Sequence, residues 1–232
     1  ASGPLYRVRI TCNGHLETAV GSLGNFTVHN AELTYYVNNS YDSLVDVYCT
    51  GPGSDANDGL TPSTPKATVQ AIIDAYDLEP GDVVYIDTGV YELSADITVG
   101  SGDQGDATGY VRFVGSTDPA GTWIDRNNRG SVSWGFLLGG SDYVSLERLN
   151  VTGAWYGIYA VSSSNVTVSR CRSWNNSEMG LYLWDCDSLT VEHTIVDENG
   201  SCGICLRSGS AVSLLNNSIY LNGGVQVSLS NS

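Results

Sequence analysis

Three aromatic residues recur at a spacing that could build one binding surface. Tyr159 and Tyr182 lie 23 residues apart, and Trp184 follows Tyr182 by two positions. If they lie on strands stacked side by side, their rings are about 4.8 Å apart on one side of a sheet. Flat apolar rings suit the C–H faces of pyranose sugars, so Tyr159, Tyr182 and Trp184 are predicted to form a sugar-stacking platform. The alternative is an aromatic ladder that only stiffens the sheet.

Other residues near this platform are assigned by their positions around it. Trp155 and Trp174 fall in the turns before the tyrosine-bearing strands and are predicted to form the rim. Arg207 is predicted to hydrogen-bond sugar hydroxyl groups. Four residues that directly precede glycines are predicted, by strand alternation, to face the core: Trp134, Tyr156, Met179 and Cys202.

Two short motifs contain residue types that ligate metals. Cys202-Gly-Ile-Cys205 matches CxxC, but it has no second pair, and strand geometry is expected to separate its thiols. The segment from Asp55 to Gly59 offers oxygen ligands for Ca²⁺, yet it lacks the rest of an EF-hand loop, and an Asx turn is the preferred interpretation. No cofactor is therefore predicted, with Ca²⁺ left open. A disulfide between Cys12 and Cys49 is a further hypothesis.

The segments that carry these residues form a repeat of 22 or 23 residues. Each repeat holds a glycine-led apolar strand and a second short strand, with no helix-sized segment between them. Such units cannot bury a core alone and must stack on their neighbours. Asn176, Asn199 and Asn222 keep the same spacing and predict an internal asparagine ladder. Strand alternation predicts that the second and fourth residues of each glycine-led strand form two apolar columns that face inward. The glycine-led strands are Gly135–Leu138, Gly157–Ala160, Gly180–Leu183, Gly203–Leu206 and, more loosely, Gly224–Val227.

The chain from residue 35 to about 115 resembles the entry segment of right-handed parallel β-helix proteins of the pectate-lyase-like superfamily. The resemblance implies an all-β, single-stranded right-handed parallel β-helix with coils of about 22–23 residues. Ala67–Tyr76 has helical apolar spacing and is predicted to be a short N-terminal capping helix. The segments that carry the resemblance are Tyr35–Val37, Gly53–Asp55, Asn57–Gly59, Thr64–Ile72, Pro80–Ile86 and Thr88–Tyr91.

The resemblance and the repeats predict a chain of two parts. Residues 35–232 form the β-helix domain, with the entry segment and capping helix at 35–82 and the coils at 83–232. Residues 1–34 are predicted to be a β-hairpin-like appendage, either the remnant of a preceding immunoglobulin- or fibronectin-like module or a cap. The chain is therefore expected to be part of a larger multidomain protein.

The superfamily includes lyases, epimerases, adhesins and non-catalytic modules, so the fold does not fix the function. A lyase of this kind uses an Arg or Lys base beside Ca²⁺ held by several Asp residues. Lys66 lies in the entry segment, and the closest carboxylate pair to Arg207, Asp185 and Asp187, lies in a turn. The polygalacturonase and alginate-epimerase signatures are absent. The sequence therefore favours a non-catalytic protein over an enzyme. A Ca²⁺-dependent uronan lyase and a structural stalk or adhesin segment are the alternatives.

The amino-acid composition restricts the class of molecule that the protein can bind. The formal net charge is −15 and there is one lysine, which excludes nucleic acid and disfavours a polyanion in the absence of Ca²⁺. No apolar run reaches the length of a membrane span, about 20 residues. The chain resembles the xylan-binding β-helix modules of gut-bacterial carbohydrate-active enzymes. The prediction is a secreted, extracellular carbohydrate-binding module for xylan or a similar neutral plant cell-wall polysaccharide.

Overall fold

The computed structural model describes residues 32–42 and 44–230. Cys12 and all but the last three residues of the predicted appendage lie outside these ranges, so those predictions stay untested. The elements are β1 (Thr34–Val37), α1 (Val69–Ile73), β2 (Val83–Ile86), β3 (Gly89–Glu92), β4 (Ile97–Gly100), β5 (Val111–Gly115), β6 (Thr122–Asp125), β7 (Trp134–Gly139), β8 (Val144–Glu147), β9 (Leu149–Thr152), β10 (Tyr156–Val161), β11 (Thr167–Ser169), β12 (Arg172–Trp174), β13 (Met179–Asp187), β14 (Thr190–Glu192), β15 (Ile195–Asp197), β16 (Ile204–Ser210), β17 (Ser213–Leu215), β18 (Ser218–Tyr220) and β19 (Val227–Ser230).

The strands form three parallel sheets. Sheet 1 has the order β1-β2-β5-β8-β11-β14-β17, sheet 2 the order β4-β7-β10-β13-β16-β19, and sheet 3 the order β3-β6-β9-β12-β15-β18. From β2 onward the chain visits sheet 1, sheet 3 and sheet 2 in turn, so each circuit makes one coil that pairs with the next. This is the predicted parallel β-helix.

The core runs through the middle of the coils. In sheet 2, Phe136, Ile158, Leu181 and Ile204 occupy one column in register, and all four are fully buried. Each has a neighbour of similar type about 4.8 Å away in the adjacent coil, which gives a continuous apolar column. The predicted inward columns are therefore confirmed in these coils. They are wrong in the last coil, where Val225 is 57% exposed and Val227 takes the register position beside Ile204.

A short helix packs at the N-terminal end of the stack. Helix α1 is shorter than the predicted Ala67–Tyr76 and begins after Thr68, whose hydroxyl accepts a hydrogen bond from the Ala71 amide. Ile72 is fully buried, and α1 packs against β1, β2 and β4. The helix thus covers the core beside the edge strands β1 and β4, as a cap must.

The asparagine ladder is confirmed. Asn176 Nδ2 donates to Asn199 Oδ1 at 2.9 Å, and Asn199 Nδ2 donates to Asn222 Oδ1 at 2.9 Å. All three side chains are buried. The ladder satisfies amide groups that would otherwise be buried without partners.

The corners of the coils use left-handed backbone. The corner between sheets 1 and 3 contains Arg148, Arg170, His193 and Asn216 in successive coils, with φ of 54°, 54°, 51° and 54°. Because this conformation turns the chain within one or two residues, β8 and β9 are separated by Arg148 alone.

The coil from Val111 to Val144 is longer than the coils that follow it. Its added residues form two loops, 116–121 and 126–133, and Trp123 lies between them within β6 of sheet 3. Ser177 Oγ donates to the Arg129 carbonyl of the second loop at 2.7 Å.

Candidate functional site

Six aromatic side chains form one connected cluster on the outward side of sheet 2, called here the aromatic strip. Each ring contacts at least one other member with a centroid separation between 4.2 and 6.5 Å. The members are Trp134, Trp155, Tyr156, Tyr159, Tyr182 and Trp184.

The predicted platform lies at the centre of the strip. Tyr159 and Tyr182 are in register on β10 and β13, and their rings stack at 5.2 Å with an interplanar angle of 10°. Trp184 continues the stack from Tyr182 at 6.5 Å and 25°. Tyr182 is only 9% exposed because its neighbours cover it, whereas Trp184 is 44% exposed. Trp184 therefore offers the most accessible ring face among these three.

Trp134 and Tyr156 were predicted to face the core, and this prediction is wrong. Both are half-buried, and both rings contact Tyr159 on the outward side. Residues three apart share a face here because the strand alternation is broken at the intervening glycine.

The backbone hydrogen bonds of β13 show this break directly. The amides of Gly180 and Leu181 both donate to the next coil, to Cys202 and Gly203, whereas consecutive amides of a regular strand point in opposite directions. A Cβ on Gly180 would collide with Val196 and with Asn199 of the ladder, so only glycine fits against this turn. Sequence parity fails at these positions for that reason.

Only one of the two tryptophans predicted to form the rim lies in the aromatic strip. Trp155 stacks on Tyr156 at 4.2 Å and 16° and belongs to the strip. Trp174 does not belong to it, because it lies at the end of β12 in sheet 3, where its ring contacts Trp123. Trp174 is the last residue of a strand, so its side chain projects from sheet 3 and not from the turn that follows. The sequence spacing did not reveal this.

The polar residues of the site lie at its accessible end. Arg207 is exposed and in register with Trp184, and Asp185 follows Trp184 on the exposed side of β13. No carboxylate within the described ranges forms an ion pair with Arg207. Its guanidinium is therefore available to hydrogen-bond a ligand.

Burial within the strip affects its phenols. Burial first, and then the neighbouring Tyr182, Glu178 and Tyr159, raises the pKa of Tyr156 to about 12. Burial and then Tyr182 raise the pKa of Tyr159 as well. Both hydroxyls are thus neutral hydrogen-bonding groups at physiological pH.

The oxygen atoms of the predicted Ca²⁺ segment accept hydrogen bonds from groups of the protein itself. Asp55 Oδ1 accepts from the amides of Ala67 and Thr68, and Asp58 Oδ1 accepts from the Leu60 amide two residues on. The buried Lys66 ammonium donates to the Asp55 and Asn57 carbonyls at 3.0 and 2.7 Å. The Asx-turn interpretation is confirmed for Asp58, and Lys66 is held in a structural role.

The CxxC thiols are closer than predicted. Cys202 is buried, and burial first, followed by the charge of Cys205 and a hydrogen bond with it, raises the pKa of Cys202 to about 12. The glycine break brings positions 202 and 205 to one side, as it does for Tyr156 and Tyr159. Burial and the neighbouring thiol thus favour the protonated form of Cys202. Within the residues described, no group of three or more His, Cys, Asp or Glu could hold a metal ion.

Comparisons with known proteins agree with this architecture. A family model described as right handed beta helix region matches residues 125–232. Pectate lyase Pel9A superposes with a TM-score of 0.65 at 17% identity, covering 84% of this chain and 50% of its own. The alginate lyase from Paenibacillus sp. str. FPU-7 gives 0.52 at 16% identity, covering 64% of this chain and 57% of its own. A rhamnogalacturonan lyase gives 0.52 at 15% identity, covering 82% of this chain and 58% of its own.

No curated protein matches the chain. The chain spans between 50% and 58% of the length of the three solved structures. At these identities the likeness shows the fold alone, which is a right-handed parallel β-helix, as predicted. Among the described residues, no helix is long and apolar enough to cross a membrane.

Proposed function

We propose that the protein is a non-catalytic carbohydrate-binding module that holds a neutral plant cell-wall polysaccharide, such as xylan, against the aromatic strip. The observation that carries the proposal is the stack of Tyr159, Tyr182 and Trp184 on the outward side of sheet 2, with Trp184 44% exposed. A large aromatic ring left in solvent beside other rings marks a ligand surface more often than isolated apolar residues do.

Binding would combine stacking with a few directional contacts. A pyranose ring lies on Trp184, and Trp155 and Tyr156 extend the apolar surface along the previous coil. Arg207 and Asp185 supply a hydrogen-bond donor and an acceptor for the ring hydroxyls. Because the net charge is −15, an uncharged polysaccharide approaches without the repulsion that a polyuronate would meet.

The working context is also part of this proposal. A polysaccharide of the plant cell wall is met outside cells, so the protein would act extracellularly as one domain of a larger protein that acts on such polymers. The solved structures of similar fold include pectate, alginate and rhamnogalacturonan lyases. They support a saccharide polymer as partner.

A polysaccharide lyase is the second candidate, and one observation favours it. Arg207 is exposed beside Trp184 and has no ion-pair partner in the described part of the chain, as a Brønsted base would require. Against it, the described residues hold no cluster of carboxylates for the Ca²⁺ that such a lyase uses.

Affinity electrophoresis on soluble xylan tests the binding proposal. Trp184→Ala and Tyr159→Ala should each lose most of the retardation of the parent protein. Tyr41→Ala is the matched control, because Tyr41 is 45% exposed, similar to Trp184, and lies outside the strip. Retention of full retardation by Trp184→Ala would show that the site is wrong.

The same variants separate binding from cleavage. Pectate and alginate are incubated with the protein and Ca²⁺, and the ultraviolet absorbance of unsaturated uronates is followed. No increase is expected. An increase that disappears in Arg207→Ala would establish the lyase instead.

A further inference from the structure

All five tryptophans of this chain lie outside the core. The fully buried large side chains are Tyr35, Phe113, Phe136 and aliphatic residues, and no tryptophan is among the buried residues. Three tryptophans, at 134, 155 and 184, belong to the aromatic strip. The other two, Trp123 and Trp174, lie together on the outward side of sheet 3. A solenoid that needs bulky apolar residues for its core would place them inside, so their location calls for another explanation.

Trp123 and Trp174 form a right-angled pair. Their ring centroids are 6.1 Å apart with an interplanar angle of 78°. Trp123 on β6 is in register with Asn150 on β9, which is in register with Arg172 on β12. The pair thus spans three coils, and both rings are half-buried, so part of each ring stays accessible to a flat apolar ligand surface.

Arg172 is fixed beside this pair. Its guanidinium makes two hydrogen bonds to Asp197, at 2.9 and 2.6 Å, and its central carbon lies 4.7 Å from the centre of the Trp174 ring. The Asp197 side chain is only 1% exposed, so a buried carboxylate holds the guanidinium in place. A guanidinium held in this way keeps donors in a set orientation without paying further rotamer entropy on binding.

The two indole N–H groups differ. Trp123 Nε1 donates to the Ala120 carbonyl at 2.7 Å, whereas Trp174 Nε1 is buried and has no hydrogen-bond partner in the described part of the chain. A buried donor without a partner costs about 1–3 kcal/mol. Rotation of the Trp174 ring toward a ligand hydroxyl would therefore break no protein hydrogen bond and would satisfy this donor.

We infer that Trp123, Arg172 and Trp174 form a second sugar-binding site on sheet 3, separate from the aromatic strip on sheet 2. Its ligand is a neutral pyranoside segment, because Asp197 already neutralises Arg172 and the remaining contacts are two indole rings. The inference rests on the proposed function and adds to it that one molecule binds two segments of polysaccharide.

Calorimetric titration with xylohexaose and cellohexaose tests the stoichiometry. The parent protein should bind two molecules of the preferred hexasaccharide, and Trp174→Ala and Trp184→Ala should each bind one. Linked sites gain from avidity, so Trp174→Ala should also weaken retention on insoluble xylan by at least about tenfold. Tyr41→Ala serves again as the exposed aromatic control.

The outcomes distinguish the two proposals. Unchanged stoichiometry and retention in Trp174→Ala, with loss of all binding in Trp184→Ala, would overturn the second site and leave the proposed function standing. Loss confined to Trp174→Ala would support the second site and refute the strip as the binding surface. Absence of binding to both hexasaccharides by the parent protein would overturn both.

A second variant guards against a folding defect. Trp174→Phe keeps an apolar ring under Arg172 and removes only the indole donor. If the N–H is used, this variant should retain the unfolding midpoint of the parent and bind the hexasaccharide several-fold more weakly at the second site. Unchanged binding there would exclude a role for the donor.

Discussion

The inward and outward sides of sheet 2 are made by the same strands but follow different rules. Inward positions repeat one chemical type from coil to coil, as Ile158, Leu181 and Ile204 do. Outward positions one residue later change from Tyr159 to Tyr182 to Cys205. The stacking of coils constrains only the inside, where each side chain must match the one in the next coil.

This difference teaches where to look for function in such a protein. Because the outside is free to vary, a concentration of aromatic rings there is not explained by the fold. The Asn ladder and the aliphatic columns explain stability. The fold does not require the strip or the pair of Trp123 and Trp174, and we attribute both to ligand binding. The predictions below test that division, beginning with the interior.

The largest effect is expected at the centre of the ladder. Asn199→Ala removes four hydrogen bonds of a buried side chain: Oδ1 accepts from the backbone amide and from Nδ2 of Asn176, and Nδ2 donates to Asn222 Oδ1 and to the Ser173 carbonyl. Since each such bond contributes about 0.5–1.5 kcal/mol, the free energy of unfolding should fall by about 3 kcal/mol or more. Urea denaturation measures it, with Asn216→Gly as control because Asn216 is exposed and has positive φ. Equal losses in both variants would contradict the ladder's role.

The next effect compares the two sides of one sheet. Ile158→Ala should reduce the free energy of unfolding by about 2–5 kcal/mol, because Ile158 is fully buried and truncation leaves a cavity. Leu137→Ala, at a partly exposed outward position of β7, should cost about 1 kcal/mol or less. Chemical denaturation of both variants provides the measurement. A larger loss in Leu137→Ala would break the comparison.

The smallest effect concerns the phenols of the strip. The pKa of Tyr156 is raised by burial from 10.0 to about 12. The folded state therefore favours the neutral phenol, and this contribution to stability is complete below pH 10 and is lost as the pH rises toward 12. Phenolate absorbance should show a late transition that Tyr156→Phe removes. A Tyr156 transition at pH 10 would mean that its ring is not covered by the strip.

Much of the fold could be predicted from the repeat. The spacing of 22–23 residues located the coils, the inward columns and the ladder, because these features repeat with the coil itself. The entry segment led to the capping helix near Val69, although its end was overestimated, since propensity alone does not show where tertiary contacts stop a helix.

The candidate site was predicted in part. Tyr159, Tyr182 and Trp184 lie together on the outward face because they stay on one side of the glycine break. Trp134 and Tyr156 were misassigned because the alternation was carried across Gly135 and Gly157, where close approach of Val151 and of Asn176, respectively, requires a bulge. The signal that could have corrected this is the glycine itself, since an isolated glycine in a strand pattern often marks a bulge. Trp174 was misplaced because sequence spacing does not say which sheet ends before a turn.

The left-handed corners also bear on how the protein could be altered. From β8 onward the coils turn at sites with φ near 50°, and many of them are not glycine or asparagine: Arg148, Arg170 and His193 are examples. This conformation costs residues with ordinary side chains about 1–2 kcal/mol. The corners therefore constitute a reserve of stability that replacement by glycine or asparagine would release.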